Sequence, residues 1–292
     1  KLISNVTAQE ILNVDDLTTD FLLELWNLAS LNKGKRNSKL KNKIITNLFY
    51  EPSTRTSSSF FSAMNLSGGS VIPINNVQFS SVSKGESLQD TILTMSTMTD
   101  AIVLRHHEEG SALKASEVSE VPIINGGDGK GEHPTQTILD GYTIFNCFSE
   151  SMSNLRITLV GDLKNGRTVK GLVKLLSRFD NNHFNFVSPK HLKFSDKLPN
   201  SSYETSDINS VIKETDVLYV TRVQKERGSI YDYELSEEQL LSLPPNSIVM
   251  HPFPRITEIP TSFDKNPRAK YFDQIKYGIW CRQILLEKVL LS

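Results

Sequence analysis

Short β-branched apolar runs alternate with helix-period segments along the whole chain. The candidate strands are KIITNLFY (43–50), SVIPI (70–74), AIVLR (101–105) and VPIIN (121–125), then LRITLVG (155–161), FNFVS (184–188), DVLYVT (216–221) and SIVMHP (247–252). Helical patterns fall between them at 54–66, 86–98, 135–148, 167–178 and 207–214. Such alternation predicts an α/β architecture of mainly parallel sheets with helices on both faces. The runs form two sets, each able to build its own sheet. With 292 residues and 38% hydrophobic composition there is material for two cores. The expected division is a first domain over 1–134, a linking helix over 135–148 and a second domain over 149–273. The terminal stretch DQIKYGIWCRQILLEKVLL has apolar residues at helical spacing. It predicts a second connecting helix, 274–292, that folds back and closes the first domain.

Charge and cysteine content remove several function classes. Thirty-two basic and 33 acidic residues give a formal charge of -1, which favours neither a nucleic-acid nor a membrane surface. A basic site must therefore be local. Cys147 and Cys281 are far apart and in no metal-like spacing, which fits a reducing, cytoplasmic compartment. The chain as given starts at Lys1, leaving room for a targeting segment ahead of it. No apolar run has the length of a membrane span. Asn-X-Ser/Thr sequons at Asn5, Asn65 and Asn200 read as chance matches, and no tandem repeat or low-complexity tract is present.

Open parallel sheets place ligands beyond the carboxyl ends of their strands. The first strand is followed by Glu51, Pro52 and then Ser53-Thr54-Arg55-Thr56. Ser53 or Thr54 is a natural helix N-cap, and the free amides and dipole of that helix favour an anion. Arg55 adds a forked charge. No acidic residue occurs between Glu51 and Glu86, whereas Arg55 and Lys84 do. On this stretch alone, a capped helix with a solvated serine face explains the residues as well as a phosphate site does.

The third strand ends on Arg105, followed by His106, His107, Glu108 and Glu109. Adjacent histidines and adjacent glutamates lack the spacing that places metal ligands on one helix face. After the fourth strand comes GGDGKGEHPTQ, whose glycines permit close backbone approach to a ligand. There His133 and Gln136 fall near a helix start set by Pro134. In the second half, GDLKNGRTVKG does not fit a dinucleotide fingerprint, and Arg167 opens a helix instead. Arg222, Gln224, Lys225 and Arg227 follow a later strand, and two arginine-bearing strand ends suit a ligand with several carboxylates. The last strand leads into HPFPR, where Pro252 and Pro254 fix a bend that presents backbone carbonyls to an amide or amine. The residues thus predict a phosphate-bearing ligand on the first half and a small dianion on the second, across a cleft.

The ordered set STRT, SKGES, HPTQ, GDLKNGRTV, TRVQKER and HPFPR resembles the carbamoyltransferase family, and within it the aspartate carbamoyltransferases. The resemblance spans nearly the whole chain. It implies transfer of a carbamoyl group from carbamoyl phosphate to the amine of L-aspartate, in pyrimidine biosynthesis, with no organic cofactor or metal. Ser53, Thr54, Arg55, Thr56 and Arg105 would bind the phosphate, and Thr56, Arg105 and His133 would face the carbonyl oxygen. Gln136 and the backbone carbonyls of Pro252 and Phe253 would hold the amide nitrogen. Arg167, Arg222 and Gln224, with Lys84 and Phe253, would receive aspartate. Ser80 and Lys84 would come from a neighbouring subunit, because the family shares its sites between the chains of a homotrimer. Closure of the two halves would align the reactants.

Two departures stand out. Arg105 is usually followed by His-Pro and here by His106-His107, which would loosen that turn. The segment 228–250 is shorter than in typical members. Ornithine carbamoyltransferase shares the phosphate turn but carries Cys-Leu-Pro in place of HPFPR and Ser-Met-Gly in place of TRVQKER. A catalytically silent assembly domain of a larger multifunctional polypeptide would keep the fold without turnover.

Overall fold

The structure, a computed structural model, describes residues 10–75, 85–222 and 233–292. The chain divides into two compact units, residues 1–138 with 278–292, and residues 139–277.

In the first unit four parallel strands lie in the order β2-β1-β3-β4: β1 (Ile44–Phe49), β2 (Ser70–Ile74), β3 (Ala101–His106) and β4 (Ile123–Asp128). Their apolar runs predict them because strands buried on both faces carry little alternation. Leu48, Ile102, Leu104 and Ile123 are indeed buried with Ile92 in one cluster. Edge strand β2 is the exception and is largely half-buried or exposed. Helices α1 (Thr19–Asn32), α2 (Thr54–Leu66), α3 (Leu88–Ser96) and α4 (Ser111–Ser116) belong to this unit. Helix α5 (Pro134–Cys147) carries the chain out of the unit, and α8 (Tyr271–Leu291) brings it back. Polar side chains anchor the returning stretch. Gln283 accepts from Asn32 Nδ2 at 2.9 Å and donates to the Lys35 carbonyl at 3.0 Å. Buried Glu287 accepts from Ser67 Oγ and Asn37 Nδ2, both at 2.9 Å, and pairs with Lys39 at 2.7 Å.

The second unit has five parallel strands in the order β7-β6-β5-β8-β9: β5 (Arg156–Val160), β6 (His183–Val187), β7 (Ser202–Thr205), β8 (Val217–Val220) and β9 (Ile248–Met250). Helices α6 (Arg167–Leu176) and α7 (Glu237–Leu241) accompany it. Val160, Val187, Leu218, Val220 and Val249 form its core with Ile259, Phe263 and Tyr271.

The chain therefore matches the expected α/β class, with differences in detail. Strand β7 was not foreseen, because SYET has no apolar run; it is an edge strand and needs none. Helices α1, α4 and α7 were also not singled out. The helix expected over 207–214 is instead two short 3₁₀ turns, Ile208–Ser210 and Ile212–Glu214. Asp207 Oδ1 takes the Asn209 amide at 2.9 Å, a local bond that competes with a continuous helix. Among the described residues no helix is long and apolar enough to cross a membrane. Cys147 and Cys281 are free thiols, and burial pushes both thiol pKa values upward.

Candidate active site

In both sheets the strand order reverses direction once. The reversal lies between β1 and β3 in the first unit, and between β5 and β8 in the second. These switch points are where open α/β sheets bind ligands. Among the described residues, Ser53 to Thr56 and Arg105 lie at the ends of the strands at the first, and Arg167 and Arg222 follow the strands at the second.

At the first switch point β1 and β3 run in register, with Phe49 opposite Arg105, and the Tyr50 amide donates to the Arg105 carbonyl at 2.8 Å. Residues 51–56 therefore emerge beside Arg105. Ser53 is the N-cap of α2 by backbone conformation, yet its hydroxyl makes no capping bond. The N-terminal amides of this 13-residue helix thus take no side-chain cap from Ser53, and the first turn holds no acidic residue. That leaves positive potential for an anion. Thr54 and Arg55 are exposed, whereas Thr56 is buried.

Two of the serines that follow have a structural task. Ser57 donates to Asn75 Oδ1 at 2.7 Å, while its carbonyl accepts from Asn47 Nδ2 at 3.0 Å. Ser59 accepts from Arg282 Nη1 at 3.0 Å. The hydroxyl-rich run therefore serves two ends, an outward anion turn and an inward anchor for its helix.

Arg105 is largely buried. Its Nη1 donates to the Gly126 carbonyl at 3.3 Å, and its Nε lies 3.6 Å from Glu51 Oε2. His133 is buried just ahead of α5, with its Nε2 3.5 Å from Thr56 Oγ1. The His133 carbonyl accepts from the Gln136 and Thr137 amides at 3.0 and 3.2 Å, which seats Gln136 in the first turn of α5. Arg282 Nη2 donates to Thr135 Oγ1 at 3.2 Å. One buried guanidinium thus ties α2, which bears Thr56, to the start of α5, which His133 immediately precedes. Arg282 was not foreseen; in sequence it is one cation on a long amphipathic helix.

Two expectations change at this end of the sheet. The glycines of GGDGKG were expected to let backbone approach a ligand. Gly129 and Gly131 instead pack against the chain itself. A Cβ on Gly129, at φ +52°, would sit 2.6 Å from the His107 carbonyl, and one on Gly131 would meet Asp128 Oδ1 at 2.6 Å. Nor is the turn after Arg105 loose for want of its proline. His106 Nδ1 accepts from the Glu108 amide at 3.0 Å, and the ring packs on Tyr50 with centroids 4.5 Å apart. Burial, then the neighbouring His107, lowers the pKa of His106.

At the second switch point β5 pairs with β8, Val160 opposite Val220, and the Thr221 amide donates to the Val160 carbonyl at 2.8 Å. Arg222 follows directly and is half-buried. Arg167 opens α6 after Gly166, which provides no side-chain cap. Buried Asp162 shapes the preceding loop by accepting from the Asn165 amide at 3.0 Å and from Asn165 Nδ2. The second unit also holds the bend at Pro252 and Phe253, both half-buried. Ser80, Lys84 and Gln224 lie outside the described residues, as do Lys225, Arg227 and the start of the 228–250 segment. Among the described residues no group of three or more His, Cys, Asp or Glu could hold a metal ion.

Comparison with known proteins agrees with this arrangement. Residues 9–146 match the family model described as aspartate/ornithine carbamoyltransferase, carbamoyl-P binding domain. Residues 153–289 match the one described as aspartate/ornithine carbamoyltransferase, Asp/Orn binding domain. The chain is 45% identical over 300 residues to the aspartate carbamoyltransferase catalytic subunit of Thermoplasma acidophilum, covering 98% of each chain. It is 43% identical to that of Clostridium novyi, covering 97% of this chain and 98% of the other. Among solved structures, Trypanosoma cruzi aspartate transcarbamoylase in complex with carbamoyl aspartate and phosphate superposes with a TM-score of 0.91 at 36% identity, covering 99% and 98% of the two chains. The catalytic subunit of M. jannaschii aspartate transcarbamoylase superposes with a TM-score of 0.89 at 42% identity, covering 97% and 98%. The chain belongs to the aspartate/ornithine carbamoyltransferase family, among its aspartate carbamoyltransferases.

Proposed function

We propose that this chain is an active aspartate carbamoyltransferase that makes N-carbamoyl-L-aspartate and phosphate for pyrimidine biosynthesis. The observation that carries the reading is the uncapped first turn of α2 beside Arg105 and the Thr56–His133 pair. Ser53, Thr54, Arg55, Thr56 and Arg105 bind the phosphate of carbamoyl phosphate. The amine of aspartate attacks the carbamoyl carbon, a tetrahedral oxyanion forms, and the bond from carbon to the phosphate oxygen breaks. The departing phosphate takes the amine proton. Thr56, Arg105 and His133 donate to the oxyanion, so His133 acts as a donor and is not required as a base. Gln136 and the carbonyls of Pro252 and Phe253 accept from the carbamoyl amide. Arg167, Arg222 and Gln224 clamp the two aspartate carboxylates, a task suited to forked guanidinium donors. Ser80 and Lys84 act from a neighbouring chain of a homotrimer, in the cytoplasm. Neither metal nor organic cofactor takes part.

Arg55→Ala tests the phosphate assignment. Carbamoyl phosphate binding measured by calorimetry is expected to be lost while the oligomer remains intact. Binding that persists unchanged would refute the assignment.

A further inference from the structure

The bend after β9 is held by a buried polar chain that the proposed mechanism does not use. The His251 amide donates to Gln274 Oε1 at 3.0 Å, Gln274 Nε2 donates to Asp140 Oδ1 at 2.6 Å, and Tyr219 O–H donates to Asp140 Oδ2 at 2.6 Å. All four residues are buried. The next contact is made by the His251 ring. Its Nδ1 accepts from the Phe253 amide at 2.9 Å. Phe253 has φ +56°, a left-handed conformation that a bulky residue rarely adopts. The local bond from its own amide to His251 therefore compensates an unfavourable backbone.

An Nδ1 that accepts carries no proton, so the proton of the neutral ring sits on Nε2. Nε2 lies 3.6 Å from Oε2 of Glu258, itself buried and fixed by the Ile256 amide at 2.8 Å. The charge of that buried carboxylate, 3.6 Å away and outside hydrogen-bond distance, favours the proton on Nε2. The backbone between these contacts is Pro252–Phe253, whose carbonyls are given to the carbamoyl amide above.

We propose that His251 and Glu258 are positioning residues: the ring, held in one tautomer by the carboxylate, locks the left-handed Phe253 peptide and so sets the direction of the Pro252 and Phe253 carbonyls. This rests on the function proposed above. Neither side chain touches substrate; both act through the backbone.

The test compares carbamoyl phosphate with inorganic phosphate, which lacks the amide. Both are titrated calorimetrically into the intact oligomer. In His251→Ala, carbamoyl phosphate is expected to bind about tenfold more weakly, on the scale of one well-placed hydrogen bond. Inorganic phosphate binding stays unchanged. His251→Asn, whose Oδ1 stands near the former Nδ1, recovers most of the lost affinity. Glu258→Gln keeps an acceptor at Oε1 and gives a smaller loss confined to carbamoyl phosphate, and it serves if His251→Ala does not fold. Unchanged affinity for carbamoyl phosphate, or equal losses for both ligands, would overturn the proposal. A wild-type protein that makes carbamoyl-aspartate but shows no preference for carbamoyl phosphate over phosphate would also overturn it. Failure of the wild type to make product would instead defeat the functional reading.

Discussion

Thr56, in α2, and His133, in the loop just ahead of α5, bring their side chains within 3.5 Å, each buried and each able to donate to an oxyanion. Donors fixed before reaction cost no reorganisation during it. Thr56→Val and His133→Ala are each expected to lower turnover by ~10²–10³, the usual loss for one oxyanion donor. Carbamoyl phosphate binding should fall far less than turnover in His133→Ala, whereas Thr56→Val should weaken both. Steady-state kinetics on protein with wild-type unfolding behaviour would check this; turnover within twofold of wild type would contradict it. The place of His133 was legible from sequence, because a lone histidine stands between a strand end and a helix-starting proline. Arg282 was not legible. Its value comes from reaching Ser59 and Thr135, 223 and 147 positions away in sequence, and spacing carries no trace of such contacts.

At the scale of elements, the strand ends determine what the loops can do. Gly161 closes β5 with φ +118°, and a Cβ there would lie 2.3 Å from the Thr221 carbonyl. Gly161→Ala is expected to destabilise the second unit by at least about 1–3 kcal/mol, the range for a strained backbone position. A lowered thermal midpoint with weakened aspartate binding is the expected result; an unchanged midpoint would contradict it. Within the 251–258 bend, Arg255 pairs bidentately with Asp264, with Nη2 to Oδ2 at 3.0 Å, and Tyr271 O–H donates to Asp264 Oδ1 at 2.7 Å. The Arg255 hydrogen bond holds the Asp264 carboxyl below its ordinary pKa against the opposing effect of burial, and Tyr271 adds to it. A lowered folded-state pKa means the stabilisation is present above the ordinary carboxylate range and is lost as pH falls through the lowered value. Asp264→Asn should therefore lower the thermal midpoint at neutral pH, with a gap to wild type that narrows below about pH 4. A gap that widens toward acid would reverse the assignment. The eight apolar runs predicted from sequence correspond to eight of the nine strands among the described residues, because parallel strands buried on both faces carry little alternation. β7 escaped because an edge strand can be polar. The roles of Gly129 and Gly131 were misplaced for a related reason. A glycine reports that something comes close, and sequence does not say whether that is a ligand or the chain itself.

For the whole molecule, residues from both units and from a second chain are assigned to one reaction. Ser80 and Lys84 are the residues assigned to a neighbour, so a chain lacking Arg55 and one lacking Lys84 should complement each other. Mixing inactive Arg55→Ala and Lys84→Ala proteins under subunit exchange is expected to restore part of the activity. No recovery, with exchange demonstrated by mass or label, would contradict a shared site. The family was legible because its motifs occur in order across the chain.

The most direct measurement is product formation by the purified chain from carbamoyl phosphate, with L-aspartate and L-ornithine in parallel. Carbamoyl-aspartate formed, with no citrulline, is the expected result. Folded, oligomeric protein that yields neither product would contradict the account and leave a silent domain of the same fold.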